Sequence, residues 1–156
     1  MDWKEEQVKR MTKQMQLVYI ESELMNYYWH LAERDRYQRR IDDLERRYEE
    51  RLNERRAGGG IIRLPDGSQE HSPWQIEWSG QLDELRKHRD IETMYLERVD
   101  KWMRVCTKSQ EEVIRQYVMV QQCRDPEESS DLLGYAADTL RQTKRRVLNK
   151  IFNEFF

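Results

Sequence analysis

No glycine or proline interrupts the first 57 residues of this 156-residue chain, and six glycines and three prolines occur in all of it. So few turn formers exclude a turn-rich all-β fold or a low-complexity linker protein. Only two cysteines are present, Cys106 and Cys123, in neither a Cys-x-x-Cys pair nor a His/Cys cluster. That spacing excludes a disulfide framework and a structural zinc site. Both lie on apolar faces of expected helices and read as reduced structural thiols. No stretch approaches the roughly 18 apolar residues of a membrane span. The opening Met1-Asp2-Trp3-Lys4-Glu5-Glu6 carries no apolar signal core. A cytoplasmic protein without membrane contact is therefore expected. A phosphate loop, a nucleophile elbow and a metal-ligand motif are also missing. The Gly58–Gly60 run follows a helical pattern rather than a strand, and His30, His71 and His88 are scattered. The expectation is no enzyme, no cofactor and no small-molecule ligand.

Charge and periodicity are abundant. Charged and apolar residues each make up 37% of the chain, and the mean hydropathy is −1.09. This balance suits long helices with narrow apolar seams and broad solvated faces. The 10% aromatic share argues against disorder. Residues 1–56 read as one long coiled-coil helix, regular from Met11 to Arg56. Its apolar positions are Ile20, Leu24, Tyr27, Leu31, then Tyr37, Ile41, Leu44, Tyr48 and Leu52, and from Tyr37 to Tyr48 the steps alternate four and three, the seam of a coiled coil. Residues 57–72 read as a flexible loop or small hairpin around Pro65-Asp66-Gly67. Ser72-Pro73 then starts a second long helix, 73–106, with Leu82, Leu85, Leu96, Val99, Met103 and Cys106 at heptad spacing and Ile91 and Trp102 beside the seam. Two long helices joined by a loop most simply form an antiparallel hairpin. Tyr28, Trp29, Tyr95 and Trp102 cannot all hide in one such seam, so a homodimer or higher homo-oligomer is expected.

Residues 107–156 change character. Ser109 and Glu112 fit a capping box opening one helix. Asp125-Pro126-Glu127-Glu128 starts a short helix to about Leu133, with Asp125 as N-cap, and Gly134 takes the place of a left-handed C-cap. A longer helix follows Tyr135-Ala136. The net charge of the chain is only −2, but from Thr139 to Asn153 five basic residues occur and no acidic one. A short helix, a glycine turn and a longer basic helix is the layout of a helix-turn-helix. In this layout Leu132 and Leu133 pin the first helix on Leu140 and Val147. Ala137, Asp138, Arg141, Gln142, Lys144 and Arg145 then point outward near the start of the second helix, where base edges are read. Arg146 and Lys150 lie further along, suited to phosphates.

The run Leu132-Leu133-Gly134-Tyr135 followed by Asp138-Thr139-Leu140-Arg141-Gln142 resembles the helix-turn-helix of sigma-factor region four. The whole chain, with its long N-terminal helix, middle loop and C-terminal module, resembles phage late-transcription regulators of the ArpU and RinA type. The resemblance implies Pro126–Leu133 as supporting helix and Ala137–Lys150 as recognition helix. It also implies double-stranded DNA as partner, with host RNA polymerase as a second. Such modules usually carry Ser or Thr at the N-cap of the recognition helix, whereas Ala136 stands there, a loss of about 1 kcal/mol.

The expected architecture is thus all-α, a long antiparallel helical hairpin followed by a helix-turn-helix module, and the expected function is a phage DNA-binding transcription regulator. Two other classes suit parts of the pattern. A small-terminase-like DNA-packaging subunit also combines helix-turn-helix with coiled coil, though usually in the opposite order and as a ring. A helical protein-binding adaptor or inhibitor suits the near-neutral charge and the aspartate at the recognition face.

Overall fold

The computed structural model describes residues 3–9, 11–57 and 73–156, and every regular element among them is helical. None of these helices is long and apolar enough to cross a membrane. In chain order they are α1 (Trp3–Lys9), α2 (Lys13–Met25), α3 (Tyr27–Ala57), α4 (Pro73–Met103), α5 (Lys108–Val113) with a π-helical continuation Ile114–Val120, α6 (Pro126–Leu133) and α7 (Ala137–Phe155). Beyond Ala57, the expectation of a loop or small hairpin at 57–72 lies outside the described residues.

The single helix expected over Met11–Arg56 is two. Thr12 caps α2 by accepting the Met15 amide at 3.4 Å. The helix ends at Asn26, whose backbone (φ −88°, ψ 1°) leaves the helical region. No local breaker explains this stop. It is held from 97 residues away, where Gln122 Nε2 donates to the Met25 carbonyl at 2.6 Å. α4 stops at Met103 rather than running to 106, and residues 104–106 form a turn. The capping box that opens α5 is Thr107 with Gln110, not Ser109 with Glu112: the Gln110 amide donates to Thr107 Oγ1, and Gln110 Oε1 accepts from the Thr107 amide.

The chain divides into two compact units, Met1–His30 with Tyr95–Phe156, and Leu31–Met94. In the second, Ile41 of α3 and Leu82 and Leu85 of α4 are buried together, with Tyr37, Leu44 and Trp78 packed against them. Tyr48 stacks on Trp78 at 3.9 Å and Tyr37 on His88 at 5.3 Å. Arg86 pairs with Glu45 at 3.0 Å. Numbers therefore fall along α4 as they rise along α3.

In the first unit the core joins Ile20 and Leu24 of α2, Leu96, Val99, Trp102 and Met103 of α4, Val113 to Met119 in part, and Leu140, Val147, Leu148 and Ile151 of α7. Tyr95 and Trp102 are buried here, whereas Trp29 stays 60% exposed. Tyr19, Trp102 and Phe156 meet edge-on or tilted, with centroids 5.9–6.4 Å apart. α7 packs on α2, on α5 with its π-helical continuation, and on α6.

Candidate nucleic-acid interface

The segment from α6 to α7 is built by local rules. Asp125 accepts the Glu127 amide at 3.2 Å, Pro126 occupies the first helical position, and Glu127 and Glu128 sit in the dipole-favoured first turn. Gly134 ends α6 with φ +78°, a conformation that disfavours any residue with a Cβ, and its amide reaches the Ser130 carbonyl at 3.0 Å. Two residues later Ala136, with no side-chain cap, opens α7.

The packing beneath differs in detail from the expected one. Leu132 is 65% exposed. Leu133 and Tyr135 pack on Val113, Tyr117 and Leu140. The α6 residue one turn before Leu133, Ser129, is fully buried, and its hydroxyl has no hydrogen-bond partner. The i,i+4 face of α6 that turns inward is thus Ser129–Leu133, which leaves Leu132 on the outside. A polar Ser129 concealed that face in the sequence.

On α7, at about 100° per residue, the buried positions Leu140, Val147 and Ile151 leave an opposite face of Asp138, Gln142 and Arg145, flanked by Arg141 and Arg146. All five are exposed; Ala137 is half-buried. Three of the expected DNA-contacting cations are already engaged. Arg141 Nη1 donates to Asp138 at 3.0 Å, and Nη2 lies 3.6 Å from Glu127. Lys150 Nζ donates to Gln110 Oε1 at 2.8 Å. Lys144 is half-buried and donates to Glu21 of α2 at 3.1 Å. Burial opposes the charge of Lys144, but the hydrogen bond and charge of Glu21 outweigh it, so its pKa is raised. Arg145 and Arg146 face no carboxylate partner among the described residues. The sequence alone sets Lys144 on the same outward face as Asp138, Arg141, Gln142 and Arg145, because its pairing is tertiary, across 123 residues. Asn149 continues the row, its amide turned to the Arg145 carbonyl at 2.9 Å.

Behind this face lies a bent segment that periodicity does not announce. The π-helical stretch passes through Gln121, whose amide bonds to the Gln116 carbonyl at 3.0 Å. Gln122 and Cys123 follow at φ 55° and 54°. Such backbone is strained for residues with a Cβ and persists only where surroundings hold it. Here Gln122 Nε2 bridges the Met25 and Met119 carbonyls, and Tyr117 donates its hydroxyl to the Arg124 carbonyl at 3.1 Å. Burial pushes the Cys123 thiol up to about 12 and that of Cys106 to about 11.

No protein family, curated protein or solved structure matches this chain.

Proposed function

We propose that this chain is a DNA-binding transcription regulator of phage type, in which a long antiparallel helical hairpin carries a helix-turn-helix made of α6 and α7. The observation that carries this reading is the geometry at Gly134. A left-handed glycine joins an eight-residue capped helix to a longer one whose exposed side presents Gln142, Arg145 and Arg146, with no acidic residue from Thr139 to Asn153. A recognition helix reads bases near its N-terminal half and phosphates beside it.

Within this reading, Gln142 and Arg145 face base edges and Arg146 and Lys150 face phosphates. Arg141 leaves Asp138 and Glu127 only by exchanging them for a base or phosphate, so it adds selectivity more than affinity. Lys144 supports α7 from behind. The uncapped amides at the start of α7 suit a phosphate. The test is titration of the purified chain into duplex DNA at two salt concentrations. Binding that weakens steeply with salt, and that falls when Arg145 and Arg146 become Ala, supports the proposal. Retention indifferent to salt and to both substitutions would refute it.

A second reading, a protein-binding adaptor, is favoured by the outward Met15 and Val18 of α2, exposed by 54% and 59%. It predicts no salt-dependent DNA retention at all.

A further inference from the structure

The two flanks of the seam between α3 and α4, within the unit Leu31–Met94, are closed unequally. One flank is tied by Glu45–Arg86 at 3.0 Å and by Arg89 Nη1 donating to Gln38 Oε1 at 3.1 Å. No ion pair among the described residues crosses the other. There a groove of about 670 Å³ opens over a floor of Leu44, Leu85 and the stacked Tyr37–His88 pair. Gly80 stands at its rim, inside α4. A Cβ there would meet nothing within 4 Å, so the glycine marks open space rather than a close approach.

The rims carry opposite charge. Arg40 and Arg47 line the α3 side together with Asp43, which is neutralised within its own helix by Arg46 at 2.7 Å and Arg47 at 3.1 Å, so this rim is basic in balance. Glu84 lines the α4 side, and Glu77 lines the adjoining pocket that shares Leu44, Arg47 and Gln81 with the groove. Because Tyr37 meets His88 and Tyr48 meets Trp78, Arg40 lies level with Glu84, and Arg47 level with Glu77.

We infer that this groove is the contact surface of a homodimer, closed by the same groove of a second copy. A two-fold axis parallel to the helices sets α3 of each copy against α4 of the other and keeps residues at equal height. Arg40 then faces Glu84 of the second copy, Arg47 faces Glu77, and each pair recurs by symmetry. The apolar floors cover each other in a four-helix arrangement, and the flanking charges set partner and register, as they do beside a coiled-coil seam. An acidic or a basic partner would match only one rim. A second copy matches both. The inference is independent of the DNA reading, since its readout is mass alone.

The experiment is sedimentation equilibrium of the full chain, of R40E/R47E, of E77R/E84R, and of an equimolar mixture of those two variants, with helicity checked by circular dichroism. The wild type is expected to dimerise. In each variant alone all four facing pairs become like-charged, and dimerisation should weaken by roughly tenfold or more. In the mixture every facing pair is attractive again, so a heterodimer should form. Gly80→Leu, whose side chain enters open space in the monomer, should also weaken the dimer without a change of charge, and it decides the case if a charge variant fails to fold. A wild type that stays monomeric would overturn the inference. Variants that dimerise as tightly as the wild type, or a mixture that stays monomeric, would overturn it as well.

Discussion

Lys144 of α7 donates to Glu21 of α2 at 3.1 Å, with both side chains 26% exposed. The bond ties the back of the proposed recognition helix to α2 across 123 residues. In the proposed reading, stability and DNA contact fall to different cations of the same helix. Lys144→Ala should cost about 1 kcal/mol, toward the upper end for an ion pair that is only half-buried. Arg145→Ala should stay within about 0.5 kcal/mol of the wild type, as exposed substitutions do. Urea denaturation of both variants, with Glu21→Ala completing a double-mutant cycle, measures the difference; equal effects of the two substitutions would contradict the assignment.

The two glycines whose surroundings are described should respond with opposite sign. Gly134→Ala places a Cβ on a residue at φ +78° and should destabilise by about 1 kcal/mol. Gly80→Ala, in the interior of α4 with free space around it, should stabilise by about 0.5–1 kcal/mol. Thermal unfolding of the two variants checks both signs.

Ser129 offers a gain from a deletion. Its hydroxyl is fully buried without a hydrogen-bond partner, and such a group costs on the order of 1–3 kcal/mol. Ser129→Ala should raise stability by about 1 kcal/mol. A loss of stability would mean that the hydroxyl is satisfied in solution.

How much of this was legible in the sequence follows from how far each determinant reaches. Asp125-Pro126, Gly134 and the stripe Leu140–Val147–Ile151 act within one or two turns, so the bounds of α6 and the start of α7 follow from residues beside them. The break at Asn26 needs Gln122, and the engagement of Lys144 needs Glu21; neither partner is a sequence neighbour. The π-helical stretch Ile114–Val120 keeps an apolar face much like that of an α-helix, so periodicity cannot separate the two. Leu132 has the character of a core residue and Ser129 does not, so the inward face of α6 follows from packing alone.

The thiols predict an alkaline limit. Burial raises Cys123 to about 12 and Cys106 to about 11, whereas an unfolded thiol ionises near about 8.5. A raised folded-state value means that the contribution is complete below pH about 8.5 and declines as pH rises toward the folded values, because the unfolded chain releases its protons first. Stability should therefore fall between pH about 8.5 and 11, and Cys123→Ala should flatten the decline. Denaturation midpoints across that range report it. At neutral pH both thiols should react with a disulfide reagent far more slowly in the folded chain than after unfolding.

The central claim is that the outward face of α7 reads DNA, and selection from random duplexes with sequencing, repeated at two salt concentrations, tests it most directly. The account predicts an enriched motif that is lost in R141A/R145A and persists in Gly80→Leu, which leaves α7 untouched. No enrichment at either salt concentration, or a motif unchanged by R141A/R145A, would contradict it.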